Sequence, residues 1–252
     1  NLALVITTAV GGLVVLGATS LSAEVYEAVV ENDGLAALDE PVLEAAVGTR
    51  TPASEQFVTH FTDLGGTIGM PVIFAAIVLT LAVRRRSWWP VVPTPIAAAG
   101  PVPRPGLGQD LTARARPPLI YAVPPFETSP SFPSGHTLNA TVVLGLSAYL
   151  VMLGRRRLRS KLVVASAVVV FVVAMGLSRV WLGHHWLTDV MAGWLVGLAW
   201  LAAVITAHRV KMTIDRAEGA GPKSPAQVAG PASTARAASS RATGTRNGEH
   251  ET

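Results

Sequence analysis

Residues 162–207 read LVVASAVVVFVVAMGLSRVWLGHHWLTDVMAGWLVGLAWLAAVITA, and this stretch decides the fold. Two apolar blocks, 162–177 and 190–207, flank a polar insert that carries Ser178, Arg179, His184, His185 and Asp189. A helix needs about 20 mainly apolar residues to cross the hydrocarbon of a bilayer, and each block nears that length. The pair reads as two spans joined by a short loop. Ionisable groups at or just outside membrane depth are costly, so those kept in the loop are informative.

Working outward, residues 2–21, 67–83 and 138–153 form three more apolar blocks. Half of the 252 residues are apolar, only 14% are charged, and the mean hydropathy is +0.44. That balance leaves too little polar surface for a soluble domain of this length. The net charge of +4 and pI near 10.0 invite a nucleic-acid reading. However, the basic residues fall in short runs beside apolar blocks and in a polar tail, which fits loops facing anionic lipid and no nucleic-acid partner. The absence of cysteine excludes disulfides, thiolate catalysis and cysteine-ligated metal.

Cytoplasmic loops hold the excess of arginine and lysine. Three clusters mark that side: Arg84-Arg85-Arg86, then Arg155-Arg156-Arg157 with Arg159 and Lys161, then Arg209 with Lys211. Residues 23–66, 109–133 and 178–189 then lie outside. Two cytoplasmic loops are separated by an even number of crossings, yet only one good span separates the first two clusters. A further crossing is therefore expected within 87–107, giving an all-α bundle of six spans with an irregular third. That segment carries Pro90, Pro93, Pro95, Pro101, Pro103 and Pro105 as well as Arg104. Interior prolines delete helix hydrogen bonds and clash with the preceding turn, so 87–108 is either a broken element packed against protein or a local error in the sequence.

The expected domain is 1–211, with 1–21 as a first span or a signal ending near Ala18-Thr19-Ser20-Leu21-Ser22-Ala23. Within the outer segment 22–66, Val42, Leu43 and Val47 fall at helical spacing behind Asp39 and Pro41, which predicts a short surface helix. Residues 212–252 are Ala, Ser, Gly, Thr, Arg and Pro without periodicity and read as a disordered cytoplasmic tail.

Three polar constellations sit at the outer mouths of the spans: Arg114 with Arg116-Pro117, then Pro133-Ser134-Gly135-His136, then Ser178-Arg179 with His185 and Asp189. Parity places all three at one level of the membrane. The guanidinium groups suit bidentate capture of phosphate oxygens. Ser134 and Gly135 precede a span, so their backbone N–H groups are expected to point at an anion. His185 and Asp189 are four apart, which on a helix places them on one face. A carboxylate on one ring nitrogen fixes the tautomer and leaves the other free as a nucleophile, while His136 is suited to protonating a leaving alkoxide. His184 is expected to be a neighbour, because Asp189 stands four residues after His185 only.

These segments resemble the signature of the type 2 phosphatidic acid phosphatase family, which shares its site with vanadium haloperoxidases. The pattern is a lysine, six residues and Arg-Pro; then Pro-Ser-Gly-His; then Ser-Arg, five residues, His, three residues and Asp. The second and third parts are complete here, and the first has Arg116-Pro117 with Gln109 at the lysine position. The resemblance implies a multi-pass plasma-membrane lipid phosphatase with an extracytoplasmic site and no metal or other cofactor. In it His185 attacks phosphorus to form a phosphohistidine, Asp189 orients it and His136 is the general acid. Arg116, Arg179, Ser134 and Gly135 hold the phosphoryl oxygens. Gln109 brings hydrogen bonds but no charge, so Arg114 is the nearest candidate for the replacement cation and Arg104 a poorer one. If nothing compensates, the protein is a weakened or inactive lipid-phosphate binder, and Gln109→Lys should raise its rate. Phosphatidic acid, diacylglycerol pyrophosphate, phosphatidylglycerol phosphate and polyprenyl pyrophosphates such as undecaprenyl pyrophosphate all suit such a site, and the sequence does not select among them or set the oligomeric state.

Overall fold

A computed structural model of the chain describes residues 2–86 and 113–219. Among these the regular structure is helical: α1 (Leu2–Glu31), a 3-10 turn (Gly34–Leu38), α2 (Asp39–Val47), α3 (Pro52–Asp63), α4 (Gly69–Arg85), a second 3-10 turn (Leu119–Tyr121), α5 (Gly135–Leu153), α6 (Leu158–Trp181) and α7 (Leu187–Gly219). Four of these are long and apolar enough to cross a bilayer, Leu2–Glu31, Gly135–Leu153, Leu158–Trp181 and Leu187–Ala217, and Gly69–Arg84 is a shorter apolar helix. All five blocks read from the sequence are therefore helices. The crossing expected in 87–107, and with it the sixth span, lies outside the described residues, as do Arg104 and Gln109.

α5 is the hub of the bundle. Its most apolar stretch is 67% buried, against 6% for α1 and 17% for α6. Met70, Ala140, Val143, Leu144, Val172 and Met175 form the core, with Phe61, Phe74 and Trp194 packed against it. Within lipid, helices gain little from excluding water, so close packing and interhelical hydrogen bonds hold them together. Gly193 and Gly197 show the packing: a Cβ on Gly193 would lie 2.9 Å from the Ser134 carbonyl oxygen, and one on Gly197 2.8 Å from Thr141 Cβ. α7 can thus press directly onto the start of α5. Trp194 Nε1 donates to the Val172 carbonyl of α6 at 3.1 Å.

The outer segment differs most from expectation. α1 continues unbroken to Glu31, and its Val25 packs with Phe132 and Ala192 beside the site. α2 begins at Asp39 as expected, but it is docked into the protein, since Leu43 and Asp39 are both buried. The spacing of Val42, Leu43 and Val47 reveals an apolar stripe without revealing what covers it. α3 has no counterpart among the expected elements; Thr51 caps it reciprocally with Ser54, and Pro52 occupies its first turn. By contact the chain divides after Val210 into two units, 1–210 and 211–252. In the second, residues 211–219 are helical, so helix replaces the predicted tail for its first residues. The remainder, 220–252, lies outside the described residues.

Candidate active site

The site forms where the C-terminus of α6, the N-termini of α5 and α7 and the loop 113–134 meet. Every motif residue thus lies at one end of the helices, while Arg84, Arg155 to Arg157 and Arg209 lie at or near the opposite ends. His185 is 1% exposed and sits in the turn just before α7, not on it. The i, i+4 geometry expected of a helix face is replaced by a helix-start geometry. Asp189, the third residue of α7, reaches back so that Oδ2 accepts the backbone N–H of Trp186 at 2.9 Å. This half of a capping box satisfies a donor that the first turn leaves open. It also brings Oδ2 to 3.5 Å from His185 Nδ1.

The back of His185 is saturated. Ser131 Oγ donates to Asp189 Oδ2 at 2.5 Å, and Arg114 Nη1 donates to Asp189 Oδ1 at 2.5 Å. Arg114 Nη2 pairs with Asp39 Oδ2 at 2.6 Å, and Arg114 stacks over Trp186 at 5.7 Å. The guanidinium expected to stand in for the missing lysine therefore holds the Asp189 carboxylate instead.

The front of His185 is cationic. Arg116 Nη1 lies 3.2 Å from His185 Nε2 and donates to the His184 carbonyl at 2.7 Å. Arginine is only a donor, so this contact leaves the lone pair on Nε2 and the proton on Nδ1, facing Asp189. Arg116 Nη2 also pairs with Glu127 Oε2 at 2.8 Å, and Arg179, 1% exposed, pairs with Glu127 Oε1. Glu127 Oε2 stands 4.0 Å from His185 Nε2. Burial opposes ionisation of Glu127, but Arg179, His185 and Arg116 together outweigh it and pull the carboxyl down to about 2. For His185, burial pushes the pKa below the ordinary value against the pull of Asp189, so the ring is neutral. His184 is also pushed down, to about 4, by burial and then by Arg179. Its Nε2 contacts the Val123 carbonyl at 2.6 Å, away from Asp189.

Ser134 caps the start of α5, but its N–H donates to the Asp189 carbonyl at 3.0 Å, and its hydroxyl accepts from Thr137 at 3.0 Å. The Ser134 amide is thus used to join α5 to α7 and does not point at an anion as expected. Gly135 begins α5, and the next residue, His136, is partly exposed beside Gly66.

Sequence reasoning misses Glu127, whose carboxylate joins Arg116 to Arg179, and four further participants. Thr62 of α3 accepts from Arg179 Nη1 at 3.1 Å. Asp39, Ser131 and Thr188 serve the back of the site, and Thr188 Oγ1 accepts from Arg114 Nη1 at 2.7 Å. Only Ser131 carries a usable signal, lying two residues before Pro133.

The model of the PAP2 superfamily matches residues 96–212. Phosphatidylglycerophosphatase B of Bacillus subtilis (strain 168) is 29% identical over 178 residues, covering 69% of this chain and 85% of that protein. The crystal structure of a transmembrane PAP2 type phosphatidylglycerolphosphate phosphatase from Bacillus subtilis superposes with a TM-score of 0.67 at 27% identity, covering 76% of this chain and 95% of that one. The structure of Aquifex aeolicus LpxE shares the fold at a TM-score of 0.50 and 21% identity, covering 68% of this chain and 95% of that one. With its motifs gathered into one cationic pocket at the ends of apolar helices, the chain is similar to the PAP2 superfamily over residues 96–212 and is a membrane phosphatase.

Proposed function

We propose that the protein hydrolyses a lipid phosphate or pyrophosphate monoester at the extracytoplasmic face of the plasma membrane through a phosphohistidine on His185, without a metal. The observation that carries this reading is the placement of Glu127, whose carboxylate is gripped by Arg116 and Arg179 at 4.0 Å from His185 Nε2. A pocket that holds a planar anion against a neutral imidazole nitrogen has the charge and donors to hold a phosphoryl group there instead. Side is supported by the opposite placement of the motifs and the arginine clusters. The names of the relatives make phosphatidylglycerol phosphate the first substrate to try.

In the mechanism, Nε2 attacks phosphorus, the Nε2–P bond forms and the P–O ester bond breaks. Asp189 accepts the hydrogen bond of Nδ1–H and stabilises the positive charge that develops on the ring. His136 donates its proton to the leaving alkoxide. Water then attacks phosphorus, His136 takes its proton, and the Nε2–P bond breaks to release phosphate. Arg116 and Arg179 neutralise the charge on the equatorial oxygens.

The test is phosphate release by purified protein from phosphatidylglycerol phosphate, phosphatidic acid, diacylglycerol pyrophosphate and undecaprenyl pyrophosphate, with and without chelator. Acid-quenched turnover should trap an acid-labile phosphoryl group on the parent and none on His185→Ala. Turnover by His185→Ala at the parental rate would overturn the nucleophile, and loss of activity with chelator would overturn the metal-free chemistry. Single cysteines placed in the loop 113–134 of this cysteine-free chain should react with an impermeant reagent from outside cells.

A further inference from the structure

We infer that Asp39 is a positioning residue for the nucleophile, acting through Arg114 and Thr188; the inference rests on the hydrolytic reading above. Asp39 is 4% exposed, and these two side-chain partners both lie far along the chain from it. Oδ1 accepts the Thr188 backbone N–H at 2.8 Å, and Oδ2 accepts Thr188 Oγ1 at 2.7 Å and Arg114 Nη2 at 2.6 Å. A buried carboxylate is tolerated only when it is paired and hydrogen-bonded, and both kinds of partner here belong to the machinery behind His185. Through Thr188, Asp39 satisfies an open donor at the start of α7, one residue before Asp189.

The pairing with Arg114 has a second effect. A guanidinium facing a carboxylate favours a two-pronged grip on both oxygens. Arg114 does not make that grip on Asp189: Nη1 reaches Oδ1, while Nη2 is held by Asp39. Asp189 Oδ2 is thereby left to face His185 Nδ1, with Ser131 and Trp186 donating to it. Without Asp39, Nη2 is free to turn onto Asp189 and compete for Oδ2. The imidazole then loses the partner that fixes its tautomer, while Arg116 and Arg179 keep their places. The defect falls on the chemical step and spares substrate binding.

The experiment measures kcat and KM for the parent, Asp39→Ala, Arg114→Ala and the double variant, with His185→Ala as the reference for dead enzyme. Asp39→Ala should lose about 10- to 100-fold in kcat, the size typical of a residue that orients a ligand-bearing group, with KM within about twofold. The downfield proton resonance of the His185 Nδ1–H should weaken or vanish in the same variant. Because both residues act on one carboxylate, the double variant should be no slower than the worse single variant. If Asp39→Ala does not fold, Asp39→Asn carries the same expectation in direction with a smaller loss, since an amide has one accepting oxygen and no charge where the carboxylate serves Thr188 and Arg114 with two. Parental kcat in the Asp39 variant beside a dead His185→Ala overturns this proposal alone, as does a double variant whose losses multiply. A parent that releases no phosphate, or a His185→Ala that still does, overturns the hydrolytic reading and this proposal with it.

Discussion

The two sides of the His185 ring are built on different principles. On the Nε2 side, Arg116 and Arg179 converge on one anion, the carboxylate of Glu127, which is 28% exposed at its side chain. On the Nδ1 side, Asp189 is closed by Ser131, Trp186, Arg114 and its own ring partner, and its side chain is fully buried. The first arrangement suits a place where one anion must leave for another to arrive. The second suits a part that must not change during turnover. A pocket of fixed donors avoids reorganisation as charge develops, and here the fully buried half stands behind His185 while the partly exposed half stands before it.

The comparison breaks most sharply at its centre. His185→Ala should reduce kcat by at least about 10⁴-fold, as expected for removal of a nucleophile whose partners act with it as a unit; steady-state phosphate release measures it. Next, Arg179→Ala on the front should cost about 10²- to 10³-fold, as for loss of one charge-stabilising donor. Arg179→Lys should recover little, because an ammonium cannot reproduce the planar fork that reaches both Thr62 and Glu127.

Ser131→Ala tests the back. A hydrogen bond to a charged group contributes about 1.5–3 kcal/mol, so kcat should fall about 10- to 100-fold with KM little changed. A rise in KM with unchanged kcat would show that the two sides are not distinct in function. The smallest effect is on acid stability. Glu127 titrates at about 2 in the folded protein, against 4.5 ordinarily. A depressed carboxyl pKa stabilises the fold fully above the ordinary value, and that contribution is lost as pH falls from about 4.5 toward about 2. Glu127→Gln should therefore flatten the decline in melting temperature across that window. An unchanged acid limb would mean that the front anion is not held by its cations.

The same division governs what is legible in the sequence. The front residues and His185 stand in short strings, and arginines beside histidines at span mouths point directly to anion chemistry, so Arg116, Arg179, His136 and His185 can be picked out. The apolar blocks are legible too, because length and hydropathy alone make a span. The back is not, since Asp39 lies 149 positions from Thr188, and an acid two residues before a proline reads locally as a helix start. Thr62 is a small hydroxyl in an amphipathic helix, and nothing in its neighbours signals Arg179. Arg114 is visible as a cation but its partner is not, because sequence shows a guanidinium and not which anion it faces. The spacing of His185 and Asp189 likewise suggests a shared helix face, whereas the helix begins two residues after His185.

The bond from the Ser134 N–H to the Asp189 carbonyl has a practical consequence for redesign. It is made by main-chain atoms, and the bare flank of Gly193 lets it form, so no exchange of side chains at either end short of a proline at 134 removes it. Changes near the pocket that leave the anchored frame in place are best confined to Leu119, Ile120 and Phe126, which are exposed.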